Sequence, residues 1–431
     1  MSMPRFTRRQ ALKVLGSVGA TAAAASAGVA PAFATGTKGH VVVLGGGFGG
    51  ATAAKYLKRL EPAVDVTLIE PTRRYYTCPF SNLYLGGLFD FESLGHGYKE
   101  LRTRYGVRVI HATATDVDPE ARRIRLADGS ELSWDRLILS PGIDILWDGL
   151  EGYDRDAAEK APHAWKAGPQ THLLRRQLEE MEDGGTFILV APDNPFRCPP
   201  GPYERVAMVA NYFAEHKPRS KILLLDAKNA FSKQPLFMDA WQKHYGDMIE
   251  WVGRDDDGRV IRVDADRLEV ETEFGEIHRA DVLNVVPPQK AGFIAERAGV
   301  TDAGGFAPIE PRTFASPQVD GVYVIGDATQ AAPMPKSGFI ANSQGKVAAG
   351  AVVADLLGEA PPEPTWVNTC YSTIRRGYTI HVANVYEVRD GELYEVSGDV
   401  SPAEADDAFR RREFEYAVGW YKAIAQDTWG S

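Results

Sequence analysis

The 431-residue chain is poor in cysteine, with only Cys78, Cys198 and Cys370, and none of the three belongs to a Cys-x-x-Cys-His run. A disulfide-dense framework and a self-carried haem are thereby excluded. Beyond its N-terminal stretch the chain has no apolar run of membrane-spanning length. Positive charge is also scarce: 48 Lys and Arg stand against 58 Asp and Glu, a formal net charge of −10. That balance argues against nucleic acid as a partner and leaves a basic protein as a plausible one. No metal site is expected. What the chain does have, 44% hydrophobic and 25% charged residues, describes a globular protein too long for one domain.

The first 34 residues differ from the rest. Thr7-Arg8-Arg9-Gln10-Ala11-Leu12-Lys13 precedes an Ala-rich apolar run from Val14 to Val29, and Ala32-Phe33-Ala34 closes it. This pattern predicts a twin-arginine signal peptide over residues 1–34 and hence a periplasmic protein exported already folded. Removing it takes away four basic residues and no acid, which leaves forty-four against fifty-eight and a charge of −14. In an oxidising compartment three cysteines make one pair and one odd residue.

From His40 the sequence reads HVVVLGGGFGGATAAKYLKRL, a β-branched strand running into Gly45-x-Gly47-x-x-Gly50 and an apolar-periodic helix. Such glycines allow a tight turn, close approach of a pyrophosphate and packing of helix on strand, while the helix start supplies free amides. Val64 to Ile69 then forms a second strand that ends in Glu70, placed to accept both ribose hydroxyls and to disfavour a 2′-phosphate. Far downstream, Gly321-Val322-Tyr323-Val324-Ile325-Gly326-Asp327 forms another buried strand whose Asp327 can bind a ribityl hydroxyl, so FAD is expected rather than NAD.

These segments resemble those of the disulfide reductase and NADH dehydrogenase class, which implies a second nucleotide fold between them, but its turn is wrong for a nicotinamide cofactor. After the strand Thr186–Ala191 come Pro192-Asp193-Asn194-Pro195-Phe196-Arg197-Cys198-Pro199-Pro200-Gly201-Pro202-Tyr203-Glu204. Prolines lack amide donors and stiffen the turn, so NAD binding is expected to be lost while the scaffold persists through Lys221–Asp226.

The Cys-Pro-Pro-Gly-Pro-Tyr-Glu run resembles the flavoprotein subunit of flavocytochrome c sulfide dehydrogenase, with sulfide:quinone reductases as more distant relatives. Tyr75-Tyr76-Thr77-Cys78-Pro79-Phe80-Ser81-Asn82, Pro335-Lys336-Ser337-Gly338-Phe339-Ile340-Ala341-Asn342 and Thr369-Cys370-Tyr371-Ser372 are similar to three further segments of that family. The resemblance covers essentially the whole chain after residue 34. It implies an α/β fold of two Rossmann-like dinucleotide-binding domains plus a C-terminal α+β interface domain. The FAD domain would comprise residues 35–150 and 290–360, the Rossmann-like domain without NAD residues 151–289, and the interface domain residues 361–431.

The same resemblance assigns roles. Cys78 would carry FAD through a thioether, Cys198 and Cys370 would form a redox disulfide attacked by hydrosulfide, with a structural crosslink as the alternative, and Cys370 would be the sulfur beside the flavin. Glu204 would accept or return protons. Lys336 and the helix start at Ser337 and Gly338 would stabilise negative charge on the flavin. Electrons would leave to a separate c-type cytochrome subunit docked on the C-terminal domain. Whether Tyr416, Trp420, Tyr421 and Trp429 serve that interface or the core is open. The charges between Asp406 and Ser431 argue against membrane insertion. Two alternatives stand beside this reading: a sulfide:quinone reductase, and an accessory flavoprotein that reactivates a partner's thiol in periplasmic sulfur oxidation.

Overall fold

The computed structural model describes residues 37–430, so the expected signal peptide lies outside the described residues. The run Val41–Leu44 is buried on both faces because Val41 and Val43 face one apolar cluster and Val42 and Leu44 face another. That is the demand of a central parallel strand covered on both sides. Five parallel strands form this sheet, in the order Val322–Val324, Arg136–Leu139, His40–Leu44, Asp65–Ile69 and Arg108–Ile110. Val322–Val324 pairs directly with Arg136–Leu139, so a segment from after the middle of the chain completes a sheet begun at its start.

The intervening residues build a second parallel sheet, ordered Ile249–Val252, Lys221–Asp226, Thr186–Ala191 and Val282–Val285. Each sheet is accompanied by a three-stranded antiparallel meander, residues 114–133 in one case and 260–279 in the other. A short antiparallel ribbon of Ile143–Ile145 and Gln289–Ala291 joins the two crossing segments.

After the long helix Gly338–Leu357 the chain forms three antiparallel strands, Thr365–Arg375, Tyr378–Arg389 and Glu392–Val400, followed by the helix Asp407–Trp429. Asp406 caps that helix by accepting from the Phe409 amide at 2.7 Å. The C-terminal end reaches back to the first domain, where the Trp429 indole donates to the Gly46 carbonyl at 3.0 Å and its ring stacks on Tyr75 and His96. Tyr421 and Trp429 are therefore core, whereas Tyr416 is 60% exposed. Among the described residues, no helix is long and apolar enough to cross a membrane.

Candidate functional site

A cavity of about 660 Å³ opens at the C-terminal edge of the first sheet, within the size range of small-molecule and cofactor sites. Gly45, Gly47, Glu70, Cys78, Gly326, Asp327 and Gly338 all line it. Gly45 has φ +98°, and a side chain there would put its first carbon 2.2 Å from the Ser140 carbonyl oxygen. Gly50 lies behind the wall, where the same addition would meet the Gly45 carbonyl oxygen at 1.9 Å. Neither position admits even a methyl group without moving backbone. Opposite them, Gly338 opens the helix Gly338–Leu357, and Ser337 caps that helix by accepting from the Ile340 amide at 3.1 Å. Ser337 Oγ also donates to Asn368 Oδ1 at 2.8 Å.

Glu70 ends its strand with one carboxylate oxygen accepting from the Gly46 amide at 2.8 Å and the other from the Thr72 amide and hydroxyl at 2.8 and 2.6 Å. Those bonds fix the carboxylate at the cavity wall and leave it lone pairs for a ligand hydroxyl. Asp327 is different. Its Oδ1 is buried with no hydrogen-bond partner among the described residues, and burial pushes its carboxyl up. An orphaned acceptor on the wall of a cavity is what a ligand hydroxyl would satisfy, so the residues fit FAD.

Lys336 departs from expectation. Its ammonium donates to the carbonyls of Asp327 and Thr329 at 2.9 and 2.6 Å and lies 3.9 Å from the Phe306 ring centre. Burial pulls it down to about 8. The side chain turns into the loop after Gly326 because those carbonyls need a donor, and it is not part of the cavity wall. Three cations do line the cavity: Arg74, paired with Glu92, Lys166, paired with Asp144, and Arg197. One end of the Arg197 guanidinium donates to the Trp165 carbonyl, while Nε is buried without a partner among the described residues.

The three cysteines come from three different parts of the chain and converge beside this wall. Cys78 lines the cavity, and its carbonyl is held by the Ser81 amide and hydroxyl at 3.0 and 2.6 Å. Cys198 sits in the proline-rich loop at φ +59°, with its amide donating to the Lys336 carbonyl at 2.8 Å, so the second domain's turn is tied to the flavin domain. Phe196 and Trp165 fill the space behind that loop. Cys370 lies on the strand Thr365–Arg375.

All three are free thiols in the structure, so the expected Cys198–Cys370 pair is not joined in it. A hydrogen bond with the Cys198 thiol pulls Cys78 down to about 6, against the opposing effect of burial, and Arg197 and Arg205 add to the pull. The same hydrogen bond, reinforced by burial, pushes Cys198 well up. Burial pushes Cys370 up, and Lys233 opposes that. Of the three, Cys78 is the thiol poised as a nucleophile near neutral pH.

Glu204 occupies the first turn of the helix Gly201–His216. One carboxylate oxygen accepts from the Thr373 amide at 2.8 Å, the other from Asn82 Nδ2 at 2.9 Å, and burial pushes the group up. Its neighbour Arg205 is 1% exposed. The guanidinium donates to Asn82 Oδ1, the carbonyls of His163 and Ala164, and Asn284 Oδ1. Asn82 thus sits between the carboxylate and the guanidinium.

Arg197, Arg205, Asn82 and Lys233 were not singled out in the sequence. Arg197 had a signal in its place beside Cys198. Lys233 and Asn82 had none, because only the packing of three domains brings them to the thiols.

Three family models match successive parts of the chain. "Pyridine nucleotide-disulphide oxidoreductase" matches residues 39–176, "Sulfide dehydrogenase [flavocytochrome c] flavoprotein chain, central" matches 171–287, and "Flavocytochrome c sulphide dehydrogenase, flavin-binding" matches 362–429. The sulfide dehydrogenase [flavocytochrome c] flavoprotein chain of Chlorobaculum thiosulfatiphilum is 64% identical over 47 residues, which span 96% of that sequence and 11% of this chain. The mitochondrial sulfide:quinone oxidoreductase of Dictyostelium discoideum is 22% identical over 74% of this chain and 71% of its own length. For the mouse enzyme of the same name the figures are 26%, 67% and 65%, so the chain spans a little under two thirds of that protein. Among solved structures, the sulfide:quinone oxidoreductase of Aquifex aeolicus superposes with a TM-score of 0.71 at 17% identity, covering 91% of each chain, a likeness of fold.

Proposed function

The chain belongs to the sulfide dehydrogenase (flavocytochrome c) flavoprotein family, and from that premise we propose that it is an FAD-dependent oxidoreductase that oxidises hydrosulfide. The observation that carries the reading is the convergence of Cys78, Cys198 and Cys370 beside the glycine-lined cavity, with Cys78 on its wall and Glu204 within the same cluster. When bound, FAD supplies a carrier that takes two electrons together and releases them singly.

The chain's own residues hold that group and prepare the sulfur chemistry. The glycines Gly45, Gly47 and Gly50 let backbone approach the pyrophosphate, Glu70 takes the ribose, and Asp327 takes a ribityl hydroxyl. Cys78 is the residue that would tether the group by a thioether. Arg197, with Arg74 and Lys166, puts positive charge on the cavity wall. Cys198 and Cys370, once joined, present a disulfide to hydrosulfide, which attacks by sulfur displacement to leave one persulfide and one thiolate. Glu204 accepts the proton released, a task suited to a carboxyl pushed up by burial.

A c-type cytochrome subunit is the electron acceptor in this proposal. Its docking face would be the C-terminal sheet, where Val367, Tyr394, Val396 and Val400 are exposed together with Tyr416 on the following helix. The site of action is the periplasm, from the twin-arginine pattern at the start of the chain. The similarity to sulfide:quinone oxidoreductases favours quinone as the second candidate acceptor. Anaerobic mixing with sulfide, followed by cytochrome c or a soluble quinone, tests both steps. Flavin reduction by sulfide with reoxidation by cytochrome c supports the proposal; reoxidation by quinone alone assigns the other acceptor, and no reduction by sulfide removes both.

A further inference from the structure

A lysine that no motif announces lies at the centre of the thiol cluster. Lys233 precedes the helix Gln234–Tyr245 in the left-handed region, at φ +61°, a conformation that an ordinary residue keeps only when its surroundings hold it there. Its side chain is 8% exposed. Among the described residues the ammonium makes a single hydrogen bond, donating to Ser372 Oγ at 2.8 Å, and joins no ion pair. It passes 5.8 Å from the Phe237 ring centre. Lysine has three ammonium donors, so two are left without a protein acceptor in a buried place. A buried ammonium with two unused donors is unfavourable unless an anion is brought to them.

The neighbours identify that anion. Ser372 lies two residues beyond Cys370 on one strand, so both side chains project from the same face. Thr373, next along, donates its amide to Glu204. The groups that face Lys233 electrostatically are Cys370, Glu204, Cys198 and Glu413, from four different elements, and burial acts against its charge. The cation is therefore set among the two thiols of the redox pair and the carboxyl that takes the proton.

We infer that Lys233 is a positioning residue that draws the hydrosulfide anion into the thiol cluster and holds the negative charge that appears on Cys370. The inference rests on the sulfide-oxidising reading above. In the step concerned, HS⁻ forms a new sulfur–sulfur bond to Cys198 while the Cys198–Cys370 bond breaks. The bonding pair leaves with Cys370 as thiolate, so the sulfide sulfur is oxidised to the persulfide level and the disulfide is reduced. One negative charge enters and one remains, and the persulfide proton passes to Glu204. Lys233 meets that charge at both stages, first on the incoming anion and then on Cys370.

The test compares an anionic and a neutral reagent on the reduced, flavin-loaded enzyme. Iodoacetate and iodoacetamide are reacted in parallel at one pH, and modification of the Cys370 peptide is followed by mass spectrometry. The ratio of the two rates reads the local charge and cancels differences in access. Lys233→Met should lower the ratio roughly tenfold or more, since a cation within a few ångströms at reduced dielectric acts on a charged reagent alone. Lys233→Arg should keep it within about threefold of the wild type. If Lys233→Met does not load flavin, Ser372→Ala takes its place and should lower the ratio about threefold by releasing the ammonium. An unchanged ratio in Lys233→Met, or in Ser372→Ala where that variant stands in, overturns the inference, as does an equal loss in Lys233→Arg. No sulfide enters this assay. Failure of the wild type to oxidise sulfide would thus remove the functional reading alone, and an unchanged ratio in an active enzyme would remove Lys233 alone.

Discussion

Replacing Glu204 by glutamine should have two separable effects, and the hydrogen bonds around the carboxylate fix both. Glu204 accepts from the Thr373 amide and from Asn82 Nδ2, and Asn82 cannot turn over, because its Oδ1 accepts from buried Arg205. A glutamine can still accept from Thr373, but its amide nitrogen then faces the Asn82 amide nitrogen, donor against donor. Leaving such a buried pair unsatisfied costs about 1–3 kcal/mol, visible as a fall of a few degrees in melting temperature. Loss of the carboxylate as proton acceptor should slow flavin reduction by sulfide about 10² to 10⁴-fold.

The two effects part in the double variant Asn82→Asp/Glu204→Gln. The aspartate introduced at position 82 can accept both from Arg205 and from the glutamine amide at position 204, while it loses the bond that Asn82 Nδ2 donates to the Gly201 carbonyl, so the melting temperature should recover in part. Flavin reduction should stay slow, because the carboxylate has moved away from position 204. The wild-type pH profile supplies a further sign. Burial raises the folded-state pKa of Glu204, so its contribution to stability is present below the unfolded value and is lost as pH rises through the raised folded value. Over that same rise the sulfide-dependent rate should increase as the base deprotonates, and the single variant should lack this rise. Wild-type reduction rates in Glu204→Gln, or a double variant that melts as early as the single one, would refute the reasoning.

Other consequences are direct. Acid precipitation should leave flavin on the protein, with the FAD mass on the Cys78 peptide, and Cys78→Ser should release it to the supernatant. In flavin-free protein Cys78 should be alkylated faster than Cys198 or Cys370 near neutral pH, following its thiol pulled down to about 6; equal rates would contradict the hydrogen bond to Cys198. Gly50→Ala should purify with little flavin, since a carbon 1.9 Å from the Gly45 carbonyl oxygen must push helix from strand, while Gly129→Ala, with nothing within 4 Å, should load normally apart from backbone strain at φ +83°. NADH should fail to bleach the flavin in stopped-flow mixing, and rapid bleaching at micromolar NADH would overturn the interpretation of the proline-rich turn.

The glycine turn, Glu70 and Asp327 were legible in the sequence because each depends on local geometry: a strand end, a tight turn and a helix start within a few residues. The split sheet was expected from the family resemblance alone, and in the structure Val322–Val324 pairs with Arg136–Leu139. The charges around the thiols were not legible. Asn82, Arg205 and Lys233 act through partners brought close only by domain packing, and a single polar residue has no periodicity to mark it. The direction of the Lys336 side chain was not legible for a related reason. Its position before a helix start marks an anion site, but the carbonyls of Asp327 and Thr329 claim its ammonium. The aromatic residues near the C-terminus divide between core and surface because Trp429 reaches the Gly46 carbonyl while Tyr416 faces solvent.

Cys198 and Cys370 act here as the sulfide-accepting pair rather than as a crosslink that stabilises the fold. Anaerobic stopped-flow mixing of sulfide with Cys198→Ser and Cys370→Ser, set beside their melting curves, tests it most directly. Both variants should be flavin-loaded and stable enough to purify, with a flavin that sulfide no longer reduces rapidly. Variants that melt early, by the roughly 2–5 kcal/mol expected for a lost structural disulfide, yet reduce their flavin at the wild-type rate would contradict it.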